Sequence, residues 1–149
     1  MGTYSVLLKC SKRFTLKLGC LGYVDLKRGH YVYTGSALGK GSTSLEGRIN
    51  RHRRRSKILR WHIDYLTKRR EIHLEGSVYI HCRTQLECSI NEALLEHLHG
   101  YPIAQHAGAS DCRCPAHLIL VAEPTDGDLI NQLGRVYASF GKPIIDRYF

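Results

Sequence analysis

The 149-residue chain has no long hydrophobic segment. No run approaches the roughly 20 apolar residues that a membrane-spanning helix requires. The most apolar stretch near the start, SVLLKC, is too short and too soon charged to be the core of a signal peptide. We therefore predict a soluble, cytoplasmic protein with no membrane partner.

A regular cysteine framework is also missing. The six cysteines lack repeated spacings; they are Cys10, Cys20, Cys82, Cys88, Cys112 and Cys114. This pattern argues against a small secreted disulfide scaffold and favours reduced thiols. Cys112, Cys114 and His117 are close enough in sequence to suggest zinc. However, their spacing is tighter than that of paired zinc ligands and no second ligand pair is evident, so buried thiols are favoured over zinc.

Positive charge, by contrast, is abundant. Lysine and arginine number 22 against 13 acidic residues, giving a formal charge of +9 and a pI near 9.4. The length fits a single domain, residues 1–149, with its own core. A compact domain with this excess attracts polyanions, and nucleic acid is the expected partner. The alternative is a solubilising or heat-adapted surface.

Periodic patterns predict both strands and helices. Strand patterns are TYSVLL, FTLKLG, LGYVDL, HYVYTG, IHLEGSVYIHC and AHLILVAE, and helical patterns are TSLEGRINRHRRR, KILRWHIDYLTKR, TQLECSINEALLEHLHG and DGDLINQLGRVYASF. The first four strands predict an N-terminal antiparallel meander. Thr43, three residues before Glu46, predicts a capping box at the first helix. This order of elements predicts an α+β fold.

The glycine-rich segment YTGSALGKGS follows a strand and precedes a helix, the position of a phosphate-binding loop. Its spacing does not fit that motif. The first glycine of the motif would fall at Thr34, and Gly41 stands where serine or threonine is required. We therefore expect no nucleotide cofactor.

Short motifs follow one another along the chain: GTY at 2–4, YTGSA at 33–37 and LEGRINRH at 45–52. Their order resembles the GIY-YIG nuclease family. RWHIDYL, GASDCRC and HLI further resemble one branch, the small stand-alone Uri-type endonucleases. The resemblance covers most of the chain up to about Val121 and leaves a C-terminal helical extension, residues 124–149, uncovered.

The resemblance implies a three-stranded antiparallel sheet flanked by helices, and hydrolysis of phosphodiester bonds that depends on Mg²⁺ or Mn²⁺. The interval of about 28 residues between the two tyrosine motifs is longer than in widespread members, and an added hairpin would account for it. The asparagine of the family has no clear counterpart, and Asp111 stands near its place. We expect a single α+β domain with a small antiparallel sheet of three core strands.

The resemblance assigns catalytic roles to Tyr4, Tyr33, Arg48 and His52. Arg48 and His52 are four residues apart, so they lie on one helix face beside the apolar Leu45. An arginine fork suits two phosphate oxygens, and His52 would move a proton or hold a tyrosine. A phenol is a poor base at its usual pKa of ~10, and simple core packing is the alternative for both tyrosines.

Further basic and small residues surround this segment. The predicted nucleic-acid-binding residues are Gly35, Ser36, Lys40, Arg51, Arg53, Arg54, Lys57 and Arg60. The basic residues would track a phosphate backbone, and the glycines would allow a tight turn beside it. No base-reading element is evident, so we expect selectivity for structure rather than sequence, with DNA favoured over RNA. A solvated basic face is the alternative.

Glu87 is the predicted metal ligand. On the helix predicted to start at Thr84, Glu87 borders the apolar face, whereas Glu92 and Glu96 point away from it. A single carboxylate with waters is a normal way to hold Mg²⁺. The alternative is a capping box in which the Glu87 carboxylate bonds the amide of Thr84.

Three functions are consistent with these patterns: a metal-dependent DNA endonuclease, which is favoured, a non-catalytic nucleic-acid-binding module, and a zinc-stabilised adaptor. His62 and Asp64 belong to the branch motif, and a local hydrogen-bonded pair beside Trp61 is the alternative role for them. The oligomeric state and the pathway stay open.

Overall fold

The fold is described by a computed structural model that covers residues 1–37, 39, 44–59, 61–103, 117–122 and 128–148. The strands are β1 (Gly2–Cys10), β2 (Phe14–Lys17), β3 (Tyr23–Leu26), β4 (Gly29–Ala37), β5 (Ile72–His81), β6 (Tyr101–Pro102), β7 (Leu118–Leu120) and β8 (Ile144–Arg147). The helices are α1 (Leu45–Arg53), α2 (His62–Thr67), α3 (Glu87–His97) and α4 (Leu129–Ala138). Helices and antiparallel strands are combined, which confirms the predicted α+β class. None of the described helices is long and apolar enough to cross a membrane.

The main sheet has six strands in the order β6-β7-β4-β1-β5-β8, where three were expected. All neighbours in it are antiparallel, and the long strands β4, β1 and β5 form its centre. Short strands widen it at both edges. Strand β8 had no sequence signal, because Ile144 and Ile145 are both exposed, at 38% each, and show no alternation of burial.

Strands β2 and β3 form a separate two-stranded sheet, so the predicted meander is wrong. Strand β1 pairs with β4 instead, from Gly2 opposite Ala37 to Cys10 opposite Gly29. The β2–β3 hairpin therefore occupies the long interval between the two tyrosine motifs. Strand β1 gains more by pairing along its whole length with β4 and β5 than it could with the four-residue β2.

Helices cover both faces of the sheet. Tyr4, Val6 and Leu8 of β1 pack on one face with apolar residues of α1 and α2. Leu7 packs on the other face with apolar residues of α3 and α4. Because both faces are covered, the polar residue Ser5 is also buried, and its hydroxyl lies 2.7 Å from the Tyr137 hydroxyl. Strand β1 is therefore buried on both sides, although its alternating sequence is typical of a half-exposed strand.

Helix boundaries differ from the predicted ones in three places. The N-cap of α1 is Ser44, whose side chain accepts a hydrogen bond from the Gly47 amide at 3.1 Å; Thr43 lies outside the described residues. Helix α2 is six residues long, shorter than predicted. Helix α3 begins at Glu87 after Leu86, with no side-chain cap, so the alternative role of Glu87 in a capping box with Thr84 is wrong. The carboxylate of Glu87 is thereby not engaged in capping.

Candidate active site

The two tyrosines of the motifs lie on the same face of the sheet. In the β1–β4 register Tyr4 is opposite Gly35 and Val6 is opposite Tyr33, which makes the tyrosines diagonal neighbours. The Tyr4 ring extends across Gly35, where a Cβ atom would lie 2.8 Å from the Tyr4 hydroxyl oxygen. Gly35 and Ser36 thus belong to β4, not to a turn as predicted, and the absence of a side chain at Gly35 makes room for Tyr4.

His52 of α1 contacts both tyrosines. Its Nε2 lies 2.6 Å from the Tyr4 hydroxyl, and its ring is edge-on to Tyr33 with centroids 5.6 Å apart. Burial, followed by the nearby charge of Lys57, lowers the pKa of His52 to about 3. Burial also raises the pKa of Tyr4 well above its ordinary value. Both groups are neutral near pH 7, so the contact is a hydrogen bond between a neutral phenol and a neutral imidazole.

Arg48 and Arg51 stack on Trp61, which immediately precedes α2. Their guanidinium carbons lie 5.0 Å and 4.8 Å from the centre of the Trp61 ring. In the described part of the chain the buried Nε of Arg48 has no hydrogen-bond partner. Arg48 is therefore oriented by an aromatic surface, with its Nε donor uncommitted among the described residues.

Asp64 connects the two helices beneath this arginine pair. It is fully buried, and its Oδ2 accepts hydrogen bonds from Nη2 of Arg51 at 2.6 Å and from the Trp61 amide at 2.9 Å. Asp64 thus both caps α2 and fixes Arg51 beside Arg48. Sequence reasoning left its role open, and the pairing with an arginine 13 positions earlier could not be read from helical spacing.

Glu87 lies at the start of α3 with its side chain 24% exposed, and its Oε2 is 3.8 Å from Nδ1 of His117. Its negative charge, after burial, raises the pKa of Tyr33, and the charge of Arg48 opposes this. Glu92 and Glu96 are exposed. Of the three glutamates on α3, Glu87 is thus the one whose charge acts on the tyrosine pair.

The two tyrosines differ in access. Tyr33 is 9% exposed and Tyr4 is 1% exposed, and Tyr4 is already bonded to His52. A molecule that approaches from solvent would therefore meet Tyr33 before Tyr4.

Asn91 is a further buried polar residue, one turn along α3 from Glu87 and on the same side of that helix. Sequence reasoning missed it. Its four-residue spacing from Glu87 is the signal that could have identified it.

The predicted nucleic-acid-binding residues fall into two groups. Arg53 and Arg54 are exposed at the end of α1, and the Arg53 guanidinium lies 4.1 Å over the Tyr148 ring. Lys57 instead turns inward, and its amine donates to the carbonyl oxygens of Arg51 and His52 at 3.0 Å and 3.2 Å. Burial lowers the pKa of Lys57 to about 8. Lys40 and Arg60 lie outside the described residues.

Three cysteines with described side chains, Cys10, Cys82 and Cys88, are thiols rather than disulfides. The sulfur of Cys88 lies 3.7 Å from Nε2 of His117. Cys112, Cys114 and Asp111 are outside the described residues. Over the described ranges, no three histidine, cysteine or acidic side chains converge to hold a metal ion. A cation at Glu87 would therefore depend on waters and on the substrate for its other ligands.

A family model described as "Domain of unknown function DUF123" matches residues 3–138. The matched range runs from β1 to the end of α4, so the last helix, which the nuclease resemblance did not cover, is part of the family. No curated protein and no solved structure matches the chain.

Proposed function

We propose a function from the site itself, because the chain belongs to the DUF123 family, whose description names no activity. The protein is a divalent-metal-dependent endonuclease that hydrolyses phosphodiester bonds in DNA, as the resemblance to GIY-YIG nucleases implies. The observation that carries the proposal is the hydrogen bond of 2.6 Å between Tyr4 and His52, with Tyr33 against the same imidazole. Residues from three separate motifs meet there on one face of the sheet.

Arg48 binds the phosphate. Its guanidinium is held against Trp61 and its Nε has no partner among the described residues. A guanidinium offers parallel donors to two phosphoryl oxygens, and their charge grows in the transition state. Arg51 is committed to Asp64 at 2.6 Å and so contributes mainly by keeping Trp61 and α2 in place.

Tyr33 contacts the attacking water, and Tyr4 is a positioning residue that acts through His52. Burial keeps both phenols protonated near neutral pH, so each serves first as a hydrogen-bond donor. The neutral His52 holds Tyr4, whose ring fills the space above Gly35. This arrangement leaves Tyr33 as the more exposed of the two tyrosines.

Glu87 would hold the metal ion. Its carboxylate is a hard oxygen ligand, is partly exposed and acts electrostatically on Tyr33, which fits Mg²⁺ or Mn²⁺ better than a soft metal. When bound, the cation supplies positive charge for the phosphoryl oxygens and favours ionisation of nearby hydroxyl groups. The residues of the chain orient the phosphate and the water around it.

The basic end of α1 would bind the DNA backbone. Arg53 and Arg54 are exposed there, beyond the His52 turn. Contacts of this kind fix the position of a strand without reading its sequence, so selectivity for DNA structure follows. The second candidate is a non-catalytic nucleic-acid-binding module, favoured by the full burial of Tyr4 and His52, which a purely structural pair would also show.

One experiment separates the two. Purified protein is incubated with labelled duplex, flap, bubble and single-stranded DNA, with matching RNA, in Mg²⁺, Mn²⁺ or chelator. An endonuclease cuts at least one DNA substrate and stops in chelator. Binding without cutting in either metal would support the module instead.

A further inference from the structure

A cavity lies on the opposite flank of α1 from Arg48. It has a volume of about 400 Å³ and opens between α1, β5 and the segment around β8. Sites for small ligands have volumes of roughly 300–1,000 Å³. Arg53 lines the cavity and is five positions after Arg48 in α1, which places the two about 140° apart around the helix axis. One helix thus separates the proposed phosphate site from this cavity.

The Tyr148 ring and the Arg53 guanidinium stack on each other and form part of the cavity wall. The Tyr148 hydroxyl lies 2.7 Å from Oγ of Ser77, and the Tyr148 amide donates to the carbonyl of Glu75 at 2.9 Å, so the ring is fixed. The Arg53 guanidinium lies 4.1 Å over that ring. A guanidinium held in this way has a second planar face, and nucleobases stack on such faces and on tyrosine rings.

Several polar side chains of the cavity have no partner among the described residues. The side chains of Glu46, Asn50 and Asp146 have no hydrogen bond or ion pair with any described residue. Arg147, which also lines the cavity, is paired with Asp128 at 2.7 Å. Two carboxylates therefore line the cavity beside the Arg53 guanidinium, which disfavours a phosphate inside the cavity and favours a neutral planar ligand with N–H donors. The in-plane N–H donors of Arg53 can still bind the DNA backbone outside the cavity.

We infer that this cavity binds one unpaired nucleobase that carries an exocyclic amino group, with cytosine preferred over thymine. Carboxylates accept hydrogen bonds from the cytosine N4 amino group, and thymine has a carbonyl oxygen there instead. The inference rests on the proposed function for the presence of DNA. It specifies the substrate class as DNA with unpaired nucleotides, because a base within a duplex is stacked and paired.

The distance between the cavity and Tyr33 is consistent with a nucleobase bound in the cavity. Tyr79 of β5, which lines the cavity, is opposite Tyr4 of β1. Strands lie about 4.8 Å apart, so Tyr79 is two strand spacings, roughly 10 Å, from the strand of Tyr33. The bound base would therefore belong to a nucleotide close to the phosphate that Arg48 holds.

The test measures binding of labelled oligo(dC) and oligo(dT) of equal length by fluorescence anisotropy, in chelator so that nothing is cut. The wild-type protein is expected to bind oligo(dC) about 5- to 100-fold more tightly. Glu46→Gln with Asp146→Asn should reduce that ratio to near one. Glu92→Gln, a loss of negative charge on an exposed surface far from the cavity, should keep the ratio.

The ratio of the affinities for oligo(dC) and oligo(dT), rather than either affinity alone, decides the outcome. Removing negative charge strengthens binding to both strands by electrostatics alone, and a ratio cancels that effect. No cytosine preference in the wild type, or a preference that survives the double substitution, would overturn the inference. Cleavage of flaps in Mg²⁺ without any cytosine preference would leave the nuclease standing and reject only the base site. A preference without cleavage would reject the nuclease and keep the base site.

Discussion

The Tyr4 hydroxyl and Nε2 of His52 lie 2.6 Å apart, with both residues buried, and this contact joins the first strand to the first helix. It links residues that are 48 positions apart in sequence. Substitutions of these two residues and of their neighbours are expected to change catalysis, DNA binding and stability independently of one another.

Arg48→Ala should lower the cleavage rate about 10²- to 10³-fold, because it removes a donor directed at charge that develops in the transition state. DNA affinity should change only a few-fold, since many contacts share it. Single-turnover rates and anisotropy titrations measure the two effects separately. Arg70→Ala, which removes an exposed arginine after α2, is the control and should leave the rate unchanged. A wild-type rate in folded Arg48→Ala would reject the catalytic role.

Glu87→Gln should fold normally and lose metal-dependent cleavage by at least about 100-fold, because an amide is a poor ligand for Mg²⁺. The side chain has no capping role that the substitution could disturb. Cleavage against Mg²⁺ concentration is the measurement, and Glu92→Gln on the exposed side of α3 is the matched control. If cleavage is lost in Glu92→Gln instead, the metal is held elsewhere.

Arg53→Gln combined with Arg54→Gln should weaken binding to every DNA substrate alike. The slope of log affinity against log salt should become shallower by about one unit for each phosphate that the protein no longer neutralises. Titrations at several salt concentrations measure this slope. Arg28→Gln with Arg70→Gln makes the same charge change on exposed residues outside α1 and should alter the slope less. An unchanged slope in the first pair would mean that the end of α1 faces water in the complex.

His52 should make the protein sensitive to acid. Its pKa in the folded state is about 3, below the value of about 6.5 in the unfolded chain, so the unfolded state binds the proton more readily. The stabilising contribution is complete above pH 6.5 and is lost as the pH falls towards 3. Between pH 7 and pH 4 this amounts to roughly 3 kcal/mol of unfolding free energy. Urea unfolding at both pH values should show a smaller difference for His52→Gln, and an equal difference would contradict the assignment.

Gly35→Ala should destabilise the protein by about 1–3 kcal/mol, because its Cβ would meet the Tyr4 hydroxyl at 2.8 Å and force the ring to move. The contact between Tyr4 and His52 should loosen, which NMR of the His52 ring would detect. Gly141→Ala is the comparison, since a Cβ there would make only ordinary contacts with Ile80 at 3.5 Å or more. Equal stability of the two variants would show that Tyr4 can move without cost.

The sequence predicted the core of the fold better than its edges. Strands β1, β4 and β5 and helix α4 are rich in apolar residues that the fold buries. Pairing cannot be read from periodicity, so β2 was wrongly joined to β1 in a meander. The exposed isoleucines of β8 are paired through the backbone, which leaves no pattern in side chains.

The candidate site was predictable where spacing along one helix sets the geometry. The four-residue interval from Arg48 to His52 and the helical position of Glu87 are of this kind. Contacts between elements were not predictable. Lys57 looked like a backbone-binding lysine, yet the free carbonyl groups at the end of α1 attract its amine. The stacking of Arg48 and Arg51 on Trp61 depends in the same way on how α2 packs against α1.

Trp61 is the only tryptophan of the chain, and it lies beneath the two arginines of α1. The intrinsic fluorescence of the protein at tryptophan wavelengths therefore originates at a single known place. A ligand that draws either guanidinium away from the indole changes the surroundings of that one fluorophore. The native protein thus contains its own optical probe, and occupancy of the Arg48 region can be followed in real time without attaching a dye.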